Sequence, residues 1–497
     1  MSATGLDAGM ELQLQTTRST KGTQPRWLAR ADPRRIAVVV AYVGLGAALL
    51  WSRLAELGHS LWNDEILMVE GYVRAGPTHI LAGPDLNHEL MALLAWLMTH
   101  LVGESEIAFR LLSAVPFVAG VVVVAVWLHR RLGALSAILF VFLATVSPLL
   151  LDITRQARGY GLAFLAMSVV VVAALEALRT GSPWAVIAMV VAGVLGTWTL
   201  PQLAIAFLAV GAVLVSDSRT RRSAAVGLVA SVAAIAAWYA PHIGAVHGAA
   251  QIQDGVQIGF PWVLTAPIDQ ILLPALIWID GTALAAGVIW LPLVALVAIV
   301  VAASPLIRDL RVALVLCAGP VTTVTMLWIE HAYVIPRYLS FLLVPSFILV
   351  ATGAAAVLER LPRRPALART VICLVVIGIL GTRFVVLAPD VVALPREAHR
   401  DVARVIDKGP PGTPVLAYVR NPTNLVFYLG RPVVDLDTRT VAARVCGASR
   451  PVYYVRQLLG SANVRVPCLS RRGVRHDVFR QYARGGRMDV WYIPPGP

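Results

Sequence analysis

The run Leu61-Trp62-Asn63-Asp64-Glu65 sets two adjacent carboxylates a few residues beyond a long apolar stretch. A carboxylate there can take a proton from a weakly acidic hydroxyl, the work of a general base. Asp64 is the candidate base, and Glu65 the candidate group that orients an acceptor or fixes the site. Asp64 also suits the N-cap of a helix beginning at Glu65, and the two roles are compatible. A second polar run, Asp85-Leu86-Asn87-His88-Glu89, offers Asn87 and His88 as substrate contacts, with an uncommitted surface histidine as the plain alternative. No spacing among Asp64, His88 and Glu89 demands a metal, so neither metal nor other cofactor is expected.

A third group is Asp152, Arg155, Arg158 and Tyr160. The first three recur every third residue, which on a helix is one face. They read either as a local Asp152–Arg155 ion pair or as a phosphate site, since the planar donor fork of arginine fits phosphate oxygens. Arg337, in Ile335-Pro336-Arg337-Tyr338, is either an interfacial arginine that snorkels or a second hold on the same phosphate. Glu330, His331, Gln202, His242 and His247 read as structural.

These residues need a scaffold, and composition says which kind. Of 497 residues, 58% are hydrophobic and 14% charged, and the mean hydropathy is +0.73. A soluble enzyme is not built this way. Apolar runs near the roughly 20 residues that cross a bilayer recur between residues 36 and 388. About eleven spans are expected, near 36–57, 107–128, 133–151, 160–178, 184–200, 202–216, 223–240, 283–303, 312–329, 338–357 and 370–388. The net charge of +14 does not point to nucleic acid, because the arginines sit in short clusters between apolar runs. Arg130 and Arg131, Arg179, the group Arg219, Arg221 and Arg222, the pair Arg308 and Arg311, and Arg360 to Arg369 mark alternate connections as cytoplasmic. An odd number of spans then puts the N-terminus inside and the C-terminus outside a cell membrane.

The expected organisation is a basic cytoplasmic tail over 1–35, a membrane domain over 36–388 with outer loops 58–106 and 241–282, and an extracytoplasmic α/β domain over 389–497. Within the first loop, 65–73 reads as a short surface helix and 90–101 as a helix tucked against the outer leaflet. In the C-terminal part, 397–407 reads as a helix, and 414–419, 424–428, 451–455 and 488–493 as strands. Cys446 and Cys468 both lie there, and an extracytoplasmic location permits a disulfide between them.

Several motifs together resemble glycosyltransferase family 39, which includes the protein O-mannosyltransferases and related bacterial enzymes of the GT-C superfamily. They are Leu61-Trp62-Asn63-Asp64-Glu65, Asn87-His88, the run from Gly103 to Ser113, Arg130-Arg131-Leu132-Gly133, Ser147-Pro148 and Arg155-Gln156-Ala157-Arg158-Gly159-Tyr160. Trp238-Tyr239-Ala240-Pro241 and Pro336-Arg337-Tyr338 extend the likeness more weakly. The resemblance implies a GT-C-type membrane fold and an inverting transferase that takes its sugar from a polyprenyl-phosphate carrier. It places the acid pair in the first outer loop, with Asp64 as base, and implies that Arg158 and Arg337 contact the carrier phosphate. The residues themselves add Arg155 and Tyr160 as expected members of that phosphate site, Glu65 as the partner of Asp64, and Asn87 and His88 as expected contacts to acceptor or sugar. Many members have a His-Pro-Pro-Leu-Tyr-like stretch where this chain has Asn87-His88-Glu89-Leu90-Met91, so the acceptor (protein, lipid or polysaccharide) does not carry over. The competing reading is a non-enzymatic flippase for a lipid or polymer. A carrier places its ionisable groups near mid-span, whereas here they gather at span ends.

Overall fold

The computed structural model describes residues 33–82, 88–240, 256–257, 272, 290–329, 333–334, 336–360, 378, 381–382, 384–386, 388–395, 397–419, 421–458, 466–481 and 487–495. Asn87, Glu330, His331, most of loop 241–282 and most of the expected span 370–388 lie outside the described residues.

The membrane part is a helix bundle. In chain order it contains α1 (Pro33–Leu54), α2 (Asn63–Met68), α3 (Pro77–Ala82), α4 (Glu89–Val102), α5 (Glu106–Leu132), α6 (Ala134–Val146) and α7 (Pro148–Ile153). There follow α8 (Tyr160–Thr180), α9 (Pro183–Thr199), α10 (Leu203–Ser216), α11 (Arg221–Tyr239), α12 (Trp290–Ala303), α13 (Leu310–Ile329) and α14 (Leu343–Arg360). Among the described residues six helices are long and apolar enough to cross a membrane: Ile36–Leu54, Glu106–Leu132, Tyr160–Thr180, Arg221–Tyr239, Leu310–Ile329 and Arg337–Arg360. The chain is a multi-pass membrane protein. Helices α6, α9 and α10 are shorter apolar segments. The expected span 133–151 breaks at Ser147, whose hydroxyl accepts from Leu150 N while Pro148 starts the next helix.

Helix α5 shows how the sequence sets its own limits. Glu106 lies in its first turn, and His129, Arg130 and Arg131 lie in its last, each matching the adjacent end of the helix dipole. Gly133 then stops it at φ 91°, a conformation that favours glycine. Helix α8 is buried on most sides, against α5 and α9. It meets α5 at Gly161, where a Cβ would lie 1.9 Å from the Ser113 carbonyl oxygen, and at Gly120, where one would lie 3.0 Å from Leu165 Cα. Small residues at such crossings let helices approach closely when water supplies no driving force.

Between α1 and α5 the chain forms a compact cap. Helix α2 runs into a π-helical turn, Val69–Val73. Ile66, Met68, Val69, Tyr72 and Val73 pack with Met91, Ala92 and Ala95 of α4 and Phe109 of α5. The segment 65–73 is helical as expected, with Leu67 and Glu70 exposed and its other face packed into the cap. Apolar periodicity alone does not say which neighbour covers a face.

The C-terminal part is α/β, with α15 (His399–Asp407), α16 (Pro422–Leu429), α17 (Val441–Cys446) and α18 (Leu469–Arg472). Two short strands earlier in the chain, β1 (Val256–Gln257) and β2 (Tyr333–Val334), pair antiparallel. The C-terminal strands are β3 (Val415–Tyr418), β4 (Val434–Asp435), β5 (Val452–Leu458), β6 (Val474–Arg480) and β7 (Arg487–Ile493), and they form a five-stranded sheet in the order β4-β3-β5-β7-β6. The pairs β3–β4 and β3–β5 are parallel, and β7 runs antiparallel to β5 and β6. Residues 424–428, expected as a strand, are helical. Pro422 at the first helical position and Gly430 in the left-handed region delimit that helix. Cys446 and Cys468 form a disulfide with Cα atoms 5.5 Å apart.

Candidate active site at one end of the bundle

The cap between α1 and α5, the start of α8 and the 3₁₀ turn Pro336–Leu342 before α14 meet at one end of the bundle. Trp62, not Asp64, occupies the N-cap of α2. The Trp62 amide donates to Glu65 Oε2 at 3.0 Å, so Glu65 reaches back as the acid of a capping box does. This leaves the Asp64 side chain out of the capping arrangement.

Glu65 is fully buried. Its Oε1 accepts from Arg110 Nε at 3.0 Å and from the Ala157 amide; its Oε2 accepts from Arg110 Nη2 at 2.7 Å as well as from Trp62. A carboxylate has about four lone-pair sites, and all four are filled. Of the two roles read for Glu65, this geometry leaves fixing the site and gives it no oxygen for an acceptor. Arg110 completes the arrangement by donating to the carbonyls of Leu57, His59 and Ser60 at 2.7–2.9 Å. The loop that delivers Asp64 is thus threaded around a buried ion pair.

Asp64 Oδ2 lies 3.8 Å from Arg158 Nη1 and 3.9 Å from Arg337 Nη2. Both distances are within Coulombic reach and beyond hydrogen-bonding range. The Asp64 side chain is 21% exposed, that of Arg158 10% and that of Arg337 30%. Arg158 also donates from Nη1 to the Asp64 carbonyl at 3.3 Å, and Arg337 Nη2 lies 3.4 Å from the Tyr338 hydroxyl. The Nε atoms of Arg158 and Arg337 are buried without a partner among the described residues. Two guanidinium groups with donors to spare therefore flank one carboxylate.

The aromatic wall beside them is continuous. Arg337 stands over the Tyr338 ring at 5.1 Å. Tyr338 stacks on Tyr160 with centroids 6.3 Å apart, and Tyr160 meets the His88 ring edge-on at 5.2 Å. His88 Nδ1 is 3.0 Å from the Thr199 carbonyl at the end of α9. Next to it, Glu89 Oε2 lies 3.3 Å from the Tyr239 hydroxyl, which is 2.8 Å from the Thr197 carbonyl. Burial, more than any neighbour, pushes the Glu89 carboxyl up to about 7.

Arg155 does not join this group. Its guanidinium donates to the carbonyls of Ser52 at 2.9 Å and of Glu56 and Val392 at 3.4 Å. It stitches three parts of the backbone together. Nor do Asp152, Arg155 and Arg158 share a helix face, because α7 ends at Ile153 and α8 begins at Tyr160. The described residues contain no cluster of three or more His, Cys, Asp or Glu able to hold a metal ion. Sequence reasoning missed the structural arginines, Arg110 and Arg53. Arg53 is fully buried and donates to Ala144 O at 3.0 Å and Thr145 O at 3.2 Å. The available signal was a cation inside an apolar run, which needs a partner.

A helix bundle of this build, with a short helical cap over one end and an α/β domain following, shares its fold with known solved structures. Among solved structures, the chain resembles ArnT from Cupriavidus metallidurans in the apo state, with a TM-score of 0.53 and 14% identity over 93% of this chain and 100% of that one. It resembles the same protein bound to undecaprenyl phosphate with a TM-score of 0.50 and 14% identity, over 93% and 99% of the two chains. Arabinofuranosyltransferase AftD from Mycobacteria aligns at a TM-score of 0.43 and 16% identity, covering 94% of this chain and 40% of that one. At these identities the likeness is one of fold. No family model matches the sequence, and no curated protein matches it.

Proposed function

We propose that this protein is an inverting glycosyltransferase that moves a sugar from a polyprenyl-phosphate carrier to an acceptor hydroxyl. The observation that carries the reading is Asp64 Oδ2 between Arg158 at 3.8 Å and Arg337 at 3.9 Å. The two arginines give the carrier phosphate a cationic seat, using donors that Asp64 does not saturate. Asp64 removes the acceptor proton as the acceptor oxygen bonds to the anomeric carbon. The bond from that carbon to the phosphate oxygen breaks, and its electron pair leaves with the phosphate, where the guanidinium charges stabilise it. A single displacement inverts the anomeric centre, so no second carboxylate is needed as nucleophile. The fold shared with a protein solved with undecaprenyl phosphate bound supports a lipid-borne donor. The cationic clusters at the opposite ends of the helices support placing this end, with the C-terminal domain, outside the cytoplasm. Residues 36–388 then form the transferase domain and 389–497 the extracytoplasmic one.

The test uses purified protein in nanodiscs. Undecaprenyl phosphate should bind the wild type, and Arg158→Ala or Arg337→Ala should weaken it at least about tenfold, the loss of a charge-assisted contact. Lysine at either position should restore only part of the affinity, because a point charge lacks the planar fork. Affinity unchanged in both alanine variants would remove the phosphate from this site.

A further inference from the structure

The His88 ring is 1% exposed, and its two nitrogens have different surroundings. Nδ1 lies 3.0 Å from the Thr199 carbonyl oxygen. A carbonyl only accepts, so the proton of the neutral ring is on Nδ1, and Nε2 carries a bare lone pair. Nε2 is buried and has no partner among the described residues. A buried polar atom left so is costly unless something fills it.

The neighbours hold that arrangement in place. A Cβ on Gly159 would fall 2.9 Å from His88 Nδ1 and 2.5 Å from Thr199 Cγ2, so only glycine there lets the histidine and the carbonyl meet. Tyr160 fixes the ring plane from the side. Burial first, and then the charges of Arg158 and Arg337, hold the imidazole well below its ordinary range, so the ring is neutral at pH 7. A neutral ring with a bare Nε2 repels a phosphate oxygen and accepts from a hydroxyl.

We propose that His88 Nε2 is a specificity-determining acceptor for a ligand hydroxyl, beside the phosphate seat and separate from it. This rests on the reading of the site as one that binds a polyprenyl-phosphate-linked sugar. The hydroxyl belongs either to the transferred sugar or to the acceptor. A bound molecule with a hydrogen-bond donor at that position satisfies Nε2, and a deoxy analogue leaves it stranded. Discrimination of this kind is stronger than a pocket achieves by shape alone, because the penalty for the wrong ligand is an unpaired buried atom.

Nitrogen-15 NMR of histidine-labelled protein, with His88 assigned by difference from His88→Leu, reads the tautomer directly. The expected spectrum has Nδ1 protonated and Nε2 bare at pH 7, with the Nε2 resonance shifting on ligand binding. A proton on Nε2, or on both nitrogens, overturns the proposal. Affinities in nanodiscs then locate the hydroxyl. His88→Leu should bind undecaprenyl phosphate within about twofold of wild type, and His88→Gln should recover part of whatever His88→Leu loses, because its amide oxygen can accept. If the hydroxyl is on the sugar, His88→Leu should lose about 5- to 50-fold for undecaprenyl-phosphate-linked mannose or arabinose with no acceptor present. If it is on the acceptor, the KM for an octyl glycoside acceptor should rise by a similar factor instead. Loss of bare undecaprenyl phosphate binding in His88→Leu, or no change in either arm, sinks the proposal. Failure of the wild type to bind undecaprenyl phosphate sinks the functional reading, and the NMR result still decides the proton on His88.

Discussion

Asp64 and Glu65 are neighbours in the chain and occupy opposite circumstances. Glu65 has every oxygen engaged and is fully buried, while Asp64 faces two arginines at distances too long to bind either tightly. Glu65→Gln keeps the shape of the side chain and removes the charge that Arg110 needs. Breaking a buried pair by removing one partner typically costs about 3–5 kcal/mol, because the other charge is left uncompensated. The expected outcome is a drop in thermal stability and yield with Asp64 intact, measured by the melting of detergent-purified variants. Melting within a degree of wild type would show that Arg110 does not depend on Glu65. Reading the sequence singled out the acid pair and the two arginines that now surround Asp64. It could not assign the two acids different tasks, because that depends on Arg110, 45 positions away from Glu65. The same holds for Arg155, whose carbonyl partners Ser52, Glu56 and Val392 all lie far from it in the chain.

At the scale of elements, the site depends on where α8 begins relative to α5. Gly161 permits that contact, and its amide donates to the Ser113 hydroxyl at 3.1 Å. Gly161→Ala would place a methyl group 1.9 Å from the Ser113 carbonyl oxygen, so the helices must separate. Tyr160 and Arg158 are carried on the displaced end. Such overpacking typically costs about 1–3 kcal/mol. The variant should therefore lose stability and undecaprenyl phosphate affinity together, whereas Gly46→Ala, on the helical backbone of α1 with open space around it, should keep both. A Gly161→Ala protein with wild-type melting and affinity would contradict this packing. The apolar runs made the long helices legible in advance, since hydropathy reports burial in lipid directly. The break at Ser147 and the helix at 422–429 rest on capping residues inside apolar stretches, where hydropathy overrides weaker local signals.

At the scale of the whole molecule, the C-terminal domain holds the loop that delivers Asp64. The Tyr428 hydroxyl accepts from the Leu61 amide at 2.6 Å, the Ser60 hydroxyl donates to the Glu397 carbonyl, and His59 Nε2 is 3.0 Å from the Val392 carbonyl. Arg400 pairs with Glu106 at 2.9 Å across the same junction. Burial raises the Tyr428 phenol well above its ordinary range, so it remains a neutral hydroxyl at any working pH. Tyr428→Phe leaves the buried Leu61 amide without its acceptor, at a cost of about 1–3 kcal/mol. It should lower turnover more than undecaprenyl phosphate affinity, because it loosens Asp64 and leaves Arg158 and Arg337 in place. Equal losses in both would place the effect elsewhere. None of this junction was legible in the sequence, where Leu61 and Tyr428 stand 367 residues apart.

Whether Asp64 takes the acceptor proton is decided by the turnover of Asp64→Asn. Asparagine keeps the size of the side chain and removes the basicity, and general-base help is worth about 10²- to 10⁴-fold. The measurement is release of free undecaprenyl phosphate from labelled undecaprenyl-phosphate sugars, with an octyl glycoside as acceptor, by wild type and Asp64→Asn in proteoliposomes. Release by the wild type and a fall of at least about 100-fold in Asp64→Asn are expected, at equal expression and melting. Release by Asp64→Asn at the wild-type rate would contradict Asp64 as the base.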